Sequence, residues 1–67
     1  MLQLTINGEP RQLAGPASVQ DLLVDMALAG KRVAIERNGE IVPRGLHAAT
    51  PLADGDVLEV VVAVGGG

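Results

Sequence analysis

Cysteine and aromatic residues are absent from this 67-residue chain, and it has a single histidine. Without cysteine, no disulfide staples the fold and no thiolate holds zinc. No side chain can carry a persulfide, a thiol nucleophile or an iron–sulfur cluster. Without Phe, Tyr or Trp, the core must be Leu, Ile, Val, Ala and Met, and 48% apolar content is enough for one small domain. A chain of this size buries only ~60% of the surface exposed when unfolded, so that core is small. Positive charge is also sparse. Arg11, Lys31, Arg32, Arg37 and Arg44 are scattered, and the formal net charge is −3. Nucleic-acid binding calls for a basic stripe and often for stacking aromatics, so no nucleic-acid partner is expected. Met1 is followed by neither a basic leader nor a long apolar run. No signal peptide or membrane span is therefore expected, and a cytoplasmic location is.

What is present reads as alternating strands around one helix. Leu2, Leu4 and Ile6 alternate with Gln3 and Thr5, the period of a half-buried strand. Asn7-Gly8 then signals a tight hairpin, because both central positions of a type I′ turn need positive φ. The return strand, Glu9 to Leu13, contains Pro10, which cannot donate to a ladder and so predicts a sheet edge. Gly15-Pro16 breaks the pattern, and Ser18-Val19-Gln20-Asp21 resembles a capping box with Asp in place of Glu. Val19, Leu22, Leu23 and Met26 follow at helical spacing, predicting a helix from about Val19 to Ala29. Gly30 fits the stop, with Lys31 and Arg32 near the negative end of the dipole. Val33 to Arg37, an Asn38-Gly39 turn and Ile41-Val42 form a second hairpin. Pro43-Arg44-Gly45 ends it, and Leu46 to Pro51 reads as a loop or short helical turn. Asp54-Gly55-Asp56 then turns the chain into a long apolar strand, Val57 to Val64.

A crossover helix after the first hairpin implies at least one parallel pairing. Its usual right hand places the first and last strands side by side at the sheet centre. The expected fold class is α+β: a β-grasp (ubiquitin-like) mixed sheet of four to five strands packed on one helix. The domain spans residues 1–64, and residues 65–67 form a flexible glycine tail. Leu58, Val60 and Val62 should meet the helix. Val57, Glu59, Val61 and Ala63 should face solvent, and only Glu59 among them is strongly polar. That strip is either a docking surface or a modest, harmless apolar exposure. Beyond it, Gly65, Gly66 and Gly67 can lie in a narrow cleft and reach roughly 10 Å. They suit delivery of the Gly67 carboxylate into a partner's active site, although terminal glycines can also be a cloning remnant or an idle tail.

The final stretch, Leu52-x-Asp54-Gly55-Asp56-x-Leu58-Glu59-x-Val61-x-Ala63-Val64-Gly65-Gly66-Gly67, resembles the ThiS family, the ubiquitin-like sulfur carriers of thiamine biosynthesis. Val33-Ala34-Ile35-Glu36-Arg37-Asn38-Gly39-Glu40-Ile41-Val42-Pro43-Arg44 resembles it too, and the first strand, Asn-Gly turn and helix fall in matching order. The resemblance implies that a ThiF-like adenylyltransferase uses Mg-ATP to convert the Gly67 carboxylate to an acyl-adenylate. Sulfur from a persulfide donor then replaces AMP, and a ThiG-like thiazole synthase takes it into the thiazole ring. It implies no cofactor bound to this chain, whose Gly65 and Gly66 form the approach to the partner's site. Gly65 is an addition to the minimal Gly-Gly end and supplies slack.

The remaining polar residues do not assemble an enzyme. His47 reads as a surface-loop residue, and with no cysteine present and Ser18 committed to a helix cap, no nucleophile–base pair is visible. Asp54 and Asp56 are too few for a calcium loop, which takes ~6–8 oxygen ligands, so no metal site is expected. They read as turn residues, with Asp56 a contributor to an acidic, partner-facing edge. Arg44 reads as a solvated arginine or a mate for a partner's carboxylate. Three classes remain: the thiamine sulfur carrier, a carrier like the small subunit of molybdopterin synthase, and a non-carrier β-grasp interaction module. The short loops and missing aromatics fit the second less well than the first.

Overall fold

The computed structural model describes residues 1–63; Val64 and the glycine tail, Gly65 to Gly67, lie outside the described residues. Five strands form one sheet: β1 (Leu2–Ile6), β2 (Glu9–Leu13), β3 (Val33–Arg37), β4 (Glu40–Val42) and β5 (Val57–Val62). Their order is β2-β1-β5-β3-β4, with β5 in the middle, parallel to β1 and antiparallel to β3. The helix α1 (Val19–Asp25) buries Val19, Leu22 and Leu23 among Leu4, Ile6, Ile35, Leu58 and Val60 on one sheet face. This is the β-grasp arrangement expected from the sequence, and Pro10 lies on an edge strand as expected.

Both Asn-Gly turns adopt positive φ at both positions, +52° and +83° at Asn7-Gly8 and +51° and +85° at Asn38-Gly39. The asparagines do more than turn the chain. β1 pairs with β5 only through Ile6, after which the Asn7 side chain continues the ladder. Its Nδ2 donates to the Val60 carbonyl (3.0 Å) and its Oδ1 accepts from the Val60 N–H (2.7 Å). On the other flank, Asn38 Oδ1 accepts from the Val57 N–H (2.9 Å) and its own N–H donates to the Val57 carbonyl (2.7 Å). The central strand is thus bonded on both sides where the neighbouring strands have already turned away.

Ser18 caps the helix as the sequence indicates. Its Oγ accepts from the Asp21 N–H, and the Ser18 N–H in turn donates to the Asp21 carboxylate. The N-terminal turn is also laced to the segment below it. Val19 N–H donates to Thr50, Gln20 N–H to His47, and Leu52 N–H to Ala17. A short 3-10 turn, Arg44–Leu46, folds this segment under the helix. That packing corrects the surface assignment of His47, which is buried.

The helix is shorter than expected and ends at Asp25 with Met26 as cap. Ala27 takes the left-handed position (φ +60°), its N–H bonded to the Val24 carbonyl (3.0 Å). Leu28 N–H reaches back to Leu23 (2.8 Å), and its side chain packs on the core. These two bonds are the Schellman closure. Burying Leu28 outweighs continuing the helix to Gly30, and Gly30 (φ +82°) serves the next turn instead, where Lys31 N–H donates to Leu28. Lys31 and Arg32 therefore lie outside the helix and do not complement its last turn.

A left-handed alanine is strained by ~1–2 kcal/mol, whereas glycine there loses ~0.4–1 kcal/mol of extra chain entropy on folding. Ala27→Gly is therefore expected to stabilise the domain by about 0.5–1 kcal/mol, read as a higher urea midpoint with an unchanged m-value.

Candidate functional site: the open sheet face

Alternation along β5 sends Leu58 and Val60 into the core and leaves Val57, Glu59, Val61 and Ala63 on the face away from the helix. Val62 is half-buried. The exposure of that strip was legible in the sequence. Its neighbours were not, because they depend on strand register. Val61 lies across from Ala34, and Glu59 across from Glu36, which in turn lies across from Ile41. Val61 is 62% exposed and Ile41 74%, high values for large apolar side chains. The alternation in Glu40-Ile41-Val42 could have flagged Ile41, since Val42 is the buried member of the pair.

Near the end of β5 the face dips into a shallow groove of about 420 Å³. Arg32 and Arg44 line it together with Val33, Ala34, Val61 and Ala63. Arg32 is brought there because Ala63 N–H donates to its carbonyl (2.9 Å), so the chain leaves β5 alongside the start of β3. Both arginines are exposed, as the sequence reading of Arg44 allowed, and neither is ion-paired among the described residues. Gly65, Gly66 and Gly67, the predicted delivery tail, lie outside the described residues.

Asp56 sets the start of this strand. It is buried, which overturns its assignment to an acidic outer edge. Its carboxylate accepts from Arg37 Nε (2.7 Å), Asn38 Nδ2 (3.0 Å) and the Ala53 N–H (2.8 Å). Burial pulls its pKa upward, but the bonds from Ala53, Arg37 and Asn38 and the attraction of Arg37 together outweigh burial. The net result is a carboxyl held below its ordinary value. Asp54, the other acid of the turn, accepts from the Gln3 N–H (2.7 Å), and Gly55 at φ +89° lets the chain reverse between them. No cluster of three or more potential metal ligands occurs among the described residues. No helix among them is long and apolar enough to cross a membrane.

The fold agrees with that of similar proteins. The family model described as ThiS family matches residues 4–67. The chain belongs to the ThiS family. A solved ThiS-family structure, the thiamine biosynthesis protein (ThiS) of Geobacter metallireducens, superposes with a TM-score of 0.82 at 36% identity. The match covers 98% of this chain and all of that one. The sulfur carrier protein ThiS of Thermus thermophilus is 43% identical over 63 residues, 92% of this chain and 95% of that protein. A thiazole synthase of Paramagnetospirillum magneticum is 42% identical over 66 residues, 98% of this chain. This ThiS-family chain spans only 20% of that synthase's length, and the same share of the similar Magnetococcus marinus thiazole synthase.

The Asp56 network predicts a specific acid dependence. Because its folded pKa is depressed, its contribution is fully present above the unfolded value of 3.8 and is lost as pH falls through the lower folded value. Asp56→Asn should cost about 2 kcal/mol near neutral pH, where bonds to a charged acceptor are lost. The gap to the parent chain should close as pH drops through and below 3.8, measured by urea melts across that range.

Proposed function

We propose that this chain is a sulfur carrier of thiamine biosynthesis whose cargo is borne on Gly67. The observation that carries the reading is the family match running through residue 67, so that the terminal glycines lie inside the matched region. It is supported by the name of the Thermus relative and by the Geobacter structure. The absence of cysteine fits as well, because sulfur has no side chain to ride on and is left the main-chain carboxylate.

A carboxylate is a poor electrophile, since its charge is delocalised and its leaving group would be oxide. In the proposed cycle an adenylyltransferase directs a Gly67 carboxylate oxygen onto the α-phosphorus of Mg-ATP. Pyrophosphate leaves, and an acyl-adenylate forms. The terminal sulfur of a persulfide donor attacks the carbonyl carbon and expels AMP. A thiol then cleaves the resulting S–S bond and leaves a thiocarboxylate on Gly67. Thiazole synthase is the acceptor, a choice supported by the two thiazole synthases that contain a similar region within a longer chain. In this cycle the carrier itself is not the catalyst. It supplies a docking face in Val57, Glu59, Val61 and Ala63, and reach in Gly65 and Gly66. In sequence the tail follows β5, the central strand, which lies between β1 and β3.

Removal of Gly67 shortens the lever by one residue, ~3.3–3.6 Å, more than enough to misplace a reacting group. The truncated chain should fold normally yet fail to support ATP–pyrophosphate exchange by its adenylyltransferase. Exchange at the parent rate after truncation would refute the assignment of the carrying group.

A further inference from the structure

Charge on the open face is ordered along β5 in a way that apolar docking alone does not require. Glu59 lies across from Glu36 on one rung. Val61 lies across from Ala34 on the next. Ala63 then meets Arg32, with Arg44 lining the same groove. Rungs two residues apart are separated by ~6.8 Å, so the acidic and basic rungs are roughly 13 Å apart with an apolar rung between.

The acidic rung breaks a local rule. Cross-strand partners hold their Cβ atoms ~4.5–5.5 Å apart, and like charges directly opposite are destabilising. Glu36 and Glu59 are both exposed, and no cation is ion-paired with either among the described residues, where the ion pairs are Arg11–Asp25 and Arg37–Asp56. Arg32 and Arg44 are likewise without a carboxylate mate there. A glutamine at position 36 or 59 would suit the isolated fold better. Local breaches of this kind, set among exposed apolar residues, mark places where binding rather than folding chooses the side chain.

We infer that the open face is a charge-ordered docking surface for a partner protein. The partner presents a lysine or arginine to the Glu36–Glu59 rung, apolar side chains to Ala34 and Val61, and carboxylates to Arg32 and Arg44. A nucleic acid or an anionic membrane would satisfy the arginines but leave the glutamates repelled, so the two-signed pattern selects a protein. The inference rests on the carrier reading and adds an orientation to it. The two signs are separated along the strand that leads to the glycines, so a reversed partner would set like charge against like. Docking in one direction only would then aim the tail at the partner's catalytic centre.

The test uses the full chain with its adenylyltransferase, following Mg-ATP-dependent pyrophosphate release against carrier concentration, beside urea melts of each variant. Glu59→Gln should raise the urea midpoint and at the same time raise KM several-fold. Glu36→Gln should give the same paired shifts. The double variant Arg32→Glu/Arg44→Glu should raise KM roughly tenfold and flatten its dependence on salt. A merely structural role would move the midpoint alone, so glutamine variants that are more stable but have unchanged KM overturn the inference. So does an unchanged KM in the arginine double variant. Failure of the parent chain to be adenylated at all overturns the carrier reading, and this one with it.

Discussion

The structure depends on holding β5 at the centre of a sheet whose flanking strands each pair with only part of it. β1 pairs with it over two residues and β3 reaches only to Arg37, so side chains must complete the ladder. Asn7 does this at Val60 and Asn38 at Val57, each from a turn position that itself demands positive φ. Asp56 ties the base of the strand to Arg37, Asn38 and Ala53. A buried backbone N–H or C=O left unpaired costs about as much as a lost hydrogen bond. The two asparagines and one aspartate therefore permit a central strand that outruns its parallel neighbour. The helix contributes differently, closing one face with Val19, Leu22 and Leu23 and leaving the other face open.

From that constraint the proposed docking surface follows. Alternation along the central strand places Glu59, Val61 and Ala63 on the open side, and register brings Glu36, Ala34 and Arg32 beside them. The chemistry proposed for the carrier needs nothing more from the domain than a stable platform, a face and a reach. Catalytic groups would belong to the partners, which agrees with a sequence whose one histidine is buried under the helix and whose one buried acid is committed to a turn.

Much of this was legible from residue pattern. Period-two alternation located β1, the Asp54-Gly55-Asp56 turn and the apolar run after it located β5, Asn-Gly pairs located both hairpins, Pro10 marked the edge, and Ser18 with Asp21 marked the helix start. What escaped were features decided by tertiary packing. The helix stops at Met26 because Leu28 gains burial, and an alanine accepts the position that glycine favours. His47 is buried because the 3-10 turn tucks its segment beneath the helix, and no local signal distinguishes that turn from an open loop. Asp56 carries the same turn propensity as Asp54, but only the fold reveals that one is buried and the other exposed. The charged rungs were invisible for a similar reason, since cross-strand neighbours are a property of register, not of sequence spacing.

The central claim is that sulfur is carried on Gly67, and intact-mass spectrometry tests it most directly. The chain, incubated with its adenylyltransferase, Mg-ATP, a persulfide donor and a thiol reductant, should gain the mass of one oxygen replaced by one sulfur. Fragmentation should place that gain on Gly67, and subsequent exposure to thiazole synthase and its substrates should return the parent mass. A chain that stays at the parent mass with ATP consumed, or that gains sulfur at any other residue, would contradict the account.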